Sequence, residues 1–159
     1  MKGLPSSQVL MGVILGIEST AHTFSFGGVY SNGDTISSSS ALFRPEEGGI
    51  HPREAADHHS LLSGDLFKEF ITKNKIPVNQ IDAIAFSQGP GLGPCLRVGA
   101  SVARSLADKI SKPLIGVNHC VAHIEIGRLQ TGCIDPVLLY VSGGNTQVIA
   151  RNGNRYRVI

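Results

Sequence analysis

Two histidines four residues apart, His119 and His123, stand in the run Asn118-His119-Cys120-Val121-Ala122-His123. On a helix, positions i and i+4 share one face about one turn apart, so both imidazoles can reach a single ion. A neutral imidazole is a common metal ligand. The helix of zinc peptidases carries a Glu directly after the first His as general base. Here that position is Cys120, which disfavours hydrolysis by that route and leaves metal binding open. Two histidines also share a helix face for packing reasons alone, and for this spacing taken by itself the packing reading is the favoured one. Glu125, two residues past His123, falls off this face and reads as a solvated charge.

Four further segments have side chains or backbone suited to a ligand. In Tyr140-Val141-Ser142-Gly143-Gly144-Asn145-Thr146 an apolar run ends in two glycines, where turn N–H groups can face an anion and Ser, Asn and Thr add donors. A plain hairpin turn has the same composition. Tyr140 is a core candidate whose hydroxyl needs a partner if buried. Gly16-Ile17-Glu18-Ser19-Thr20-Ala21-His22 is the equivalent turn earlier in the chain, and two such turns can clamp phosphates from two sides. Glu18 there is suited to a cation or a water, without a firm role. Gly48-Gly49-Ile50-His51-Pro52 leads into a helix carrying the adjacent His58 and His59. Adjacent positions point to different faces, so one is expected packed and the other exposed. Ser87-Gln88-Gly89-Pro90-Gly91-Leu92-Gly93-Pro94 looks like a dinucleotide fingerprint but has the wrong spacing, and Pro90 and Pro94 withhold two N–H donors. It suits a rigid strand-to-helix loop at the carboxyl edge of a sheet.

The elements that must position these residues follow from periodicity and punctuation. Strands are predicted at Gly12 to Glu18, Thr23 to Tyr30 and Thr35 to Phe43, with Asn32-Gly33 as a hairpin turn. A helix is predicted from Pro52 to about Asn74, with Ala55, His59, Leu62, Leu66 and Phe70 on one face. Then come a strand at Asp82 to Phe86, a helix at Cys95 to Ile110, a strand at Leu114 to Val117 and a helix from Asn118 to about Gln130. This βββαβαβα order is followed by strands at Pro136 to Val141, Thr146 to Ala150 and from Arg155, which restart the opening meander. The expected division is an extension over 1–11, a first domain over 12–132 and the start of a second over 133–159. Such a meander cannot bury its own face, so Val137, Leu139, Val148 and Val158 await a cover.

Composition excludes several classes. The 159 residues are 42% hydrophobic and 16% charged, which allows a core and argues against disorder. Apart from Arg151, Arg155 and Arg157, 11 basic residues face 12 acidic ones, so charge alone does not argue for nucleic-acid contact. No apolar run is long enough to span a membrane. Three cysteines without paired spacing suit a reducing, cytoplasmic compartment.

Taken in order, Gly16–Thr23, Gly48–His59, Phe86–Gly99, Gly116–Glu125 and Leu139–Val148 resemble the universal threonylcarbamoyladenosine transferases. The resemblance is to the archaeal and eukaryotic form, the catalytic subunit of the KEOPS complex. It implies the actin, sugar-kinase and Hsp70-like α/β fold. It implies transfer of a threonylcarbamoyl group from threonylcarbamoyl-AMP to the exocyclic amine of adenosine 37 in tRNAs reading ANN codons. By the same resemblance His119, His123 and Tyr140 are ligands of one divalent metal ion, iron first and zinc as the alternative. Tyr140, Val141, Ser142, Gly143, Gly144 and Asn145 would contact the acyl-adenylate. Implied partners are tRNA and the other KEOPS subunits, including a small protein kinase, with no membrane.

Proteins of this family are about twice this length, a two-domain size. The chain is therefore expected to be a fragment holding half of an interdomain cleft and inactive alone, lacking an Asp ligand and the groups that hold the adenosine. Three other activities compete: a metallopeptidase, disfavoured by Cys120; a non-catalytic nucleotide-binding scaffold, disfavoured by the histidine pair; and a small-molecule kinase of the same fold, for which nothing suggests a sugar pocket.

Overall fold

The computed structural model describes residues 12–142, 145–153 and 155–159; the expected extension over 1–11 lies outside them. Strands β1 (Val13–Glu18), β2 (Thr23–Tyr30) and β3 (Thr35–Leu42) form the predicted meander. Helix α1 (Pro52–Asn74) follows, then β4 (Ile81–Gly89), α2 (Gly93–Ile110), β5 (Leu114–Asn118) and α3 (His119–Thr131). The chain continues into β6 (Val137–Ser142), β7 (Asn145–Asn152) and β8 (Arg155–Val158). The order is the one read from the sequence. The main difference is β4, which runs three residues past its predicted end through Ser87 to Gly89.

The first five strands make one sheet in the order β3-β2-β1-β4-β5. The meander is antiparallel, whereas β4 pairs parallel with both β1 and β5. Alternation along β1 assigns the two faces. Val13, Leu15 and Ile17 are buried in a core with Phe24 and Phe26 of β2, Leu66 and Phe70 of α1, and Ala103 and Ala107 of α2. Each fully buried Phe, Leu or Ile there contributes roughly 1.5–3 kcal/mol against exposure. The other face of β1 presents Gly16 and Glu18 to a cleft whose far wall is α3.

Helix α3 begins where β5 ends. The Asn118 side chain caps it, accepting from the N–H groups of Cys120 (2.9 Å) and Val121 (3.2 Å). Gly132 closes it in the left-handed region at φ 71°. Strands β6, β7 and β8 form a second, antiparallel sheet. One face packs on α3 through Leu138, Tyr140, Ile149 and Tyr156 against Cys120 and Ile124. On the other face Val137, Leu139 and Val141 are each about two-thirds exposed. Val148 and Val158 are exposed as well, so the residues expected to lack a cover do lack one within the described chain. Among the described residues, no helix is long and apolar enough to cross a membrane.

Candidate metal centre

Strands β1, β4 and β5 run parallel, so their carboxyl ends Glu18, Gly89 and Asn118 lie along one edge. Ligands of α/β sheets gather at such an edge. Because α3 starts immediately after β5, its first residue, His119, stands beside Glu18, 101 residues earlier in the chain.

His119 and His123 face each other, with Nε2 atoms 3.2 Å apart and ring centroids 4.6 Å apart. Two imidazoles bound to one ion at about 2.0–2.1 Å each span a similar distance. Tyr140 of β6 joins them, its ring centroid 6.0 Å from His119 and 5.6 Å from His123. The three residues expected to act together therefore converge, from the first turns of α3 and the end of β6. His119 is largely enclosed, at 16% side-chain exposure. Partial desolvation of the His123 ring, which is open to the cleft, and then its neighbour His119 lower the His123 pKa from the ordinary imidazole value, which favours the neutral, ligating form. The pair opens on a cleft of ≈ 470 Å³ lined by Gly16, Glu18, Gly27, Ser87 and Ile126.

Tyr140 faces α3 and Val141 faces away from it. Ser142 and Asn145 are placed as the paired ends of β6 and β7. Gly143 and Gly144 lie outside the described residues. Among the described residues no group of three or more His, Cys, Asp and Glu surrounds one point. Glu18 does not complete such a set, because its Oε2 contacts Nδ1 of His119, at 3.2 Å, rather than the Nε2 that faces His123.

Three readings from the sequence need revision. Glu18 has a defined place: Oε1 accepts from the Thr20 N–H at 2.7 Å and from the Thr20 hydroxyl, while Oε2 meets His119. Only the parallel pairing of β1, β4 and β5 brings it there, and no local signal announces it. Glu125 is not a freely solvated charge. It accepts hydrogen bonds from the Tyr156 hydroxyl and from Arg128 (2.6 Å), and Arg151 lies 3.8 Å away. The Tyr156 bond above all holds its carboxyl below the usual range; burial opposes it, and Arg128 and Arg151 add to the lowering. Finally, His58 and His59 do approach, Nδ1 to Nδ1 at 3.4 Å. His59 is fully buried and bonded through Nε2 to the Ala21 carbonyl at 2.9 Å, so it secures the loop between β1 and β2. His58 is half-buried against Phe43. His59 is thus the packed member of the adjacent pair, as expected, while His58 is half-buried rather than exposed.

Cys120, where a peptidase would carry its general base, is buried against Ile124 and Ile149. Burial pushes its thiol pKa up, so it has the character of a packing residue.

Residues 34–159 match the family described as TsaD, tRNA N6-adenosine threonylcarbamoyltransferase. The chain belongs to this family. It is 58% identical to the tRNA N6-adenosine threonylcarbamoyltransferase of Archaeoglobus fulgidus over 92% of its own length and 44% of that protein. It is 54% identical to the protein of the same name from Caldivirga maquilingensis, over 92% of this chain and 44% of that one. The chain thus spans less than half the length of these relatives. Among solved structures, YeaZ from Pseudomonas aeruginosa is similar at a TM-score of 0.66 and 14% identity, covering 94% of this chain and 64% of YeaZ. At that identity the likeness speaks to the fold, which is the actin-like α/β fold. Enzymes of the TsaD family depend on a metal ion.

Proposed function

We propose that this chain supplies the histidine half of the active centre of a tRNA N6-adenosine threonylcarbamoyltransferase. The observation that carries the reading is the pair of Nε2 atoms 3.2 Å apart with Tyr140 beside them, in a chain of this family. His119, His123 and Tyr140 hold one divalent ion, iron in preference to zinc. Tyr140, Val141, Ser142, Gly143, Gly144 and Asn145 contact threonylcarbamoyl-AMP. Bound there, the ion would polarise the carbamoyl group or neutralise the departing phosphate.

The reaction balances simply. The exocyclic amine of adenosine 37 attacks the carbamoyl carbon, a new N–C bond forms, the bond from that carbon to the phosphate oxygen breaks, AMP leaves with the electron pair, and the amine loses a proton. Residues 12–132 form the first domain and 133–159 begin the second, and the cleft lined by Glu18, His119 and His123 is the first domain's half of an interdomain site. The rest of a family-length protein supplies a further ligand and the adenosine pocket. The enzyme acts in the cytoplasm, on tRNA reading ANN codons, with KEOPS-type partner subunits that include a small protein kinase.

The test is incorporation of labelled threonine into tRNA by the full-length protein with its partner subunits. His119→Ala and His123→Ala are each expected to lower the rate at least about 100-fold, as loss of a metal-bound group would. Wild-type rates in both variants would exclude the reading.

A further inference from the structure

Resting on the reading of His119 and His123 as a metal pair, we infer that Glu18 is a positioning residue that holds His119 as the Nδ1–H tautomer and leaves its Nε2 lone pair free for the ion. The imidazole of a metal-bound histidine has one nitrogen on the ion and the other donating to a fixed acceptor, commonly a carboxylate. Glu18 is such an acceptor. Its Oε2 lies 3.2 Å from Nδ1 of His119, on the ring edge away from His123.

The carboxylate is itself immobilised. Oε1 receives the N–H of Thr20 at 2.7 Å and the Thr20 hydroxyl. The backbone on either side of Glu18 is tied to β4 by one buried hydroxyl: Ser87 Oγ accepts from the Ser19 N–H at 3.1 Å and donates to the Ile17 carbonyl at 3.4 Å. His59 holds the next turn of the same loop through the Ala21 carbonyl. Glu18 therefore meets His119 from a clamped strand end, with side-chain exposures of 34% and 16% respectively. In this arrangement His119 Nε2 is an acceptor, and in the ion's absence the contact with His123 Nε2 is made by a proton on His123. When an ion binds, His123 carries its proton on Nδ1 instead, and both Nε2 lone pairs face the ion.

The chemistry of one substitution separates this role from simple packing. Thr20 presents two donors to Oε1 and His119 presents one to Oε2, so the site needs two acceptor oxygens. Glu18→Gln keeps the shape and has one. If the amide oxygen stays with Thr20, the NH2 faces Nδ1 of His119 and drives the proton to Nε2, where it blocks the ion. If the oxygen turns to His119, the NH2 opposes the Thr20 N–H and the clamp opens.

Long-range proton–nitrogen NMR of the chain, taken well above the ordinary imidazole pKa and without metal, reads the His119 tautomer directly. Titration with cobalt or zinc reads affinity. The expected result is Nδ1–H in the wild type, a shift toward Nε2–H in Glu18→Gln, and metal binding about 10–100-fold weaker in that variant. Thr20→Val, which removes one of the two donors holding Oε1, is expected to fall between the two. His123→Ala is expected to lose the metal and keep His119 as Nδ1–H. A wild-type His119 found as Nε2–H, or as the cation, would overturn the inference whether or not Glu18→Gln folds. So would a folded Glu18→Gln with wild-type tautomer and affinity. A wild type that holds His119 as Nδ1–H but binds no metal would instead sink the metal reading, and with it the purpose assigned to Glu18.

Discussion

His119 and His123 are the residues on which the site stands, and each is expected to be indispensable by itself. With Tyr140 as the one other ligand expected from this chain, removal of either imidazole should weaken cobalt or zinc binding by about 100-fold or more, measured by competition with a chromophoric chelator. His59 makes a different kind of prediction. Burial holds its pKa below the ordinary value of 6.5, outweighing the Ala21 carbonyl that pulls it up. His58 and His22 add to the lowering, and Glu18 opposes it. The folded chain therefore keeps the ring neutral where the unfolded chain takes up a proton. Stability from this group is complete above pH 6.5 and is lost as the pH falls from 6.5 through the lowered folded value. Denaturant midpoints across that range should drop with acid in the wild type and drop less in His59→Gln, which cannot titrate. An equal drop in the two would dismiss His59 as the group responsible. Most of these side chains could be named from the sequence by type and spacing. Their second contacts could not, because Glu18–His119 and His59–Ala21 join positions 101 and 38 residues apart.

At the scale of elements, two junctions hold the site in place. The loop entering α2 presses on the loop after β1: the Leu92 N–H donates to the Thr20 carbonyl at 2.7 Å. A Cβ on Gly91 would stand 2.5 Å from that same carbonyl oxygen. Gly91→Ala must therefore push Thr20 aside, at a cost of about 1–3 kcal/mol as for other overpacked sites. Because Thr20 anchors Glu18, metal affinity should fall along with thermal stability. Unchanged affinity in a folded Gly91→Ala would show that the two loops are not coupled. The other junction joins α3 to the second sheet through Glu125, Tyr156, Arg128 and Arg151, with Arg151 also paired to Asp135 at 3.0 Å. Glu125 is partly exposed, so its pairs are screened, and Glu125→Ala should cost only about 1 kcal/mol. The informative readout is local. Amide exchange in β6–β8 should quicken while β1, β4 and β5 are unaffected; uniform protection across both sheets would argue against a clamp. Element types were legible because the periods of two and of 3.6 residues are strong here and Gly and Pro mark the turns. Which element packs on which was not, since Glu125 reads as solvent-facing until β8 is laid against α3.

For the molecule as a whole, the exposed face of the second sheet and the span of less than half of its relatives point the same way. The 159 residues by themselves are predicted to fold, to bind an ion weakly and to transfer no labelled threonine to tRNA. Appreciable turnover by the short chain would contradict this. The amino-acid sequence alone determined the order of strands and helices and the restart of the meander, and its spacing put His119 and His123 on one helix face, Tyr140 being added to them by family resemblance. These are carried by local periodicity and by motifs within a few residues of one another. The tertiary structure decided that β1, β4 and β5 end on one edge, that Glu18 abuts His119 from the side away from His123, and that Tyr140 is delivered from a different sheet. Those facts depend on strand pairing and helix packing between distant segments, which are set by burial of whole faces and leave no trace in the spacing of any one motif.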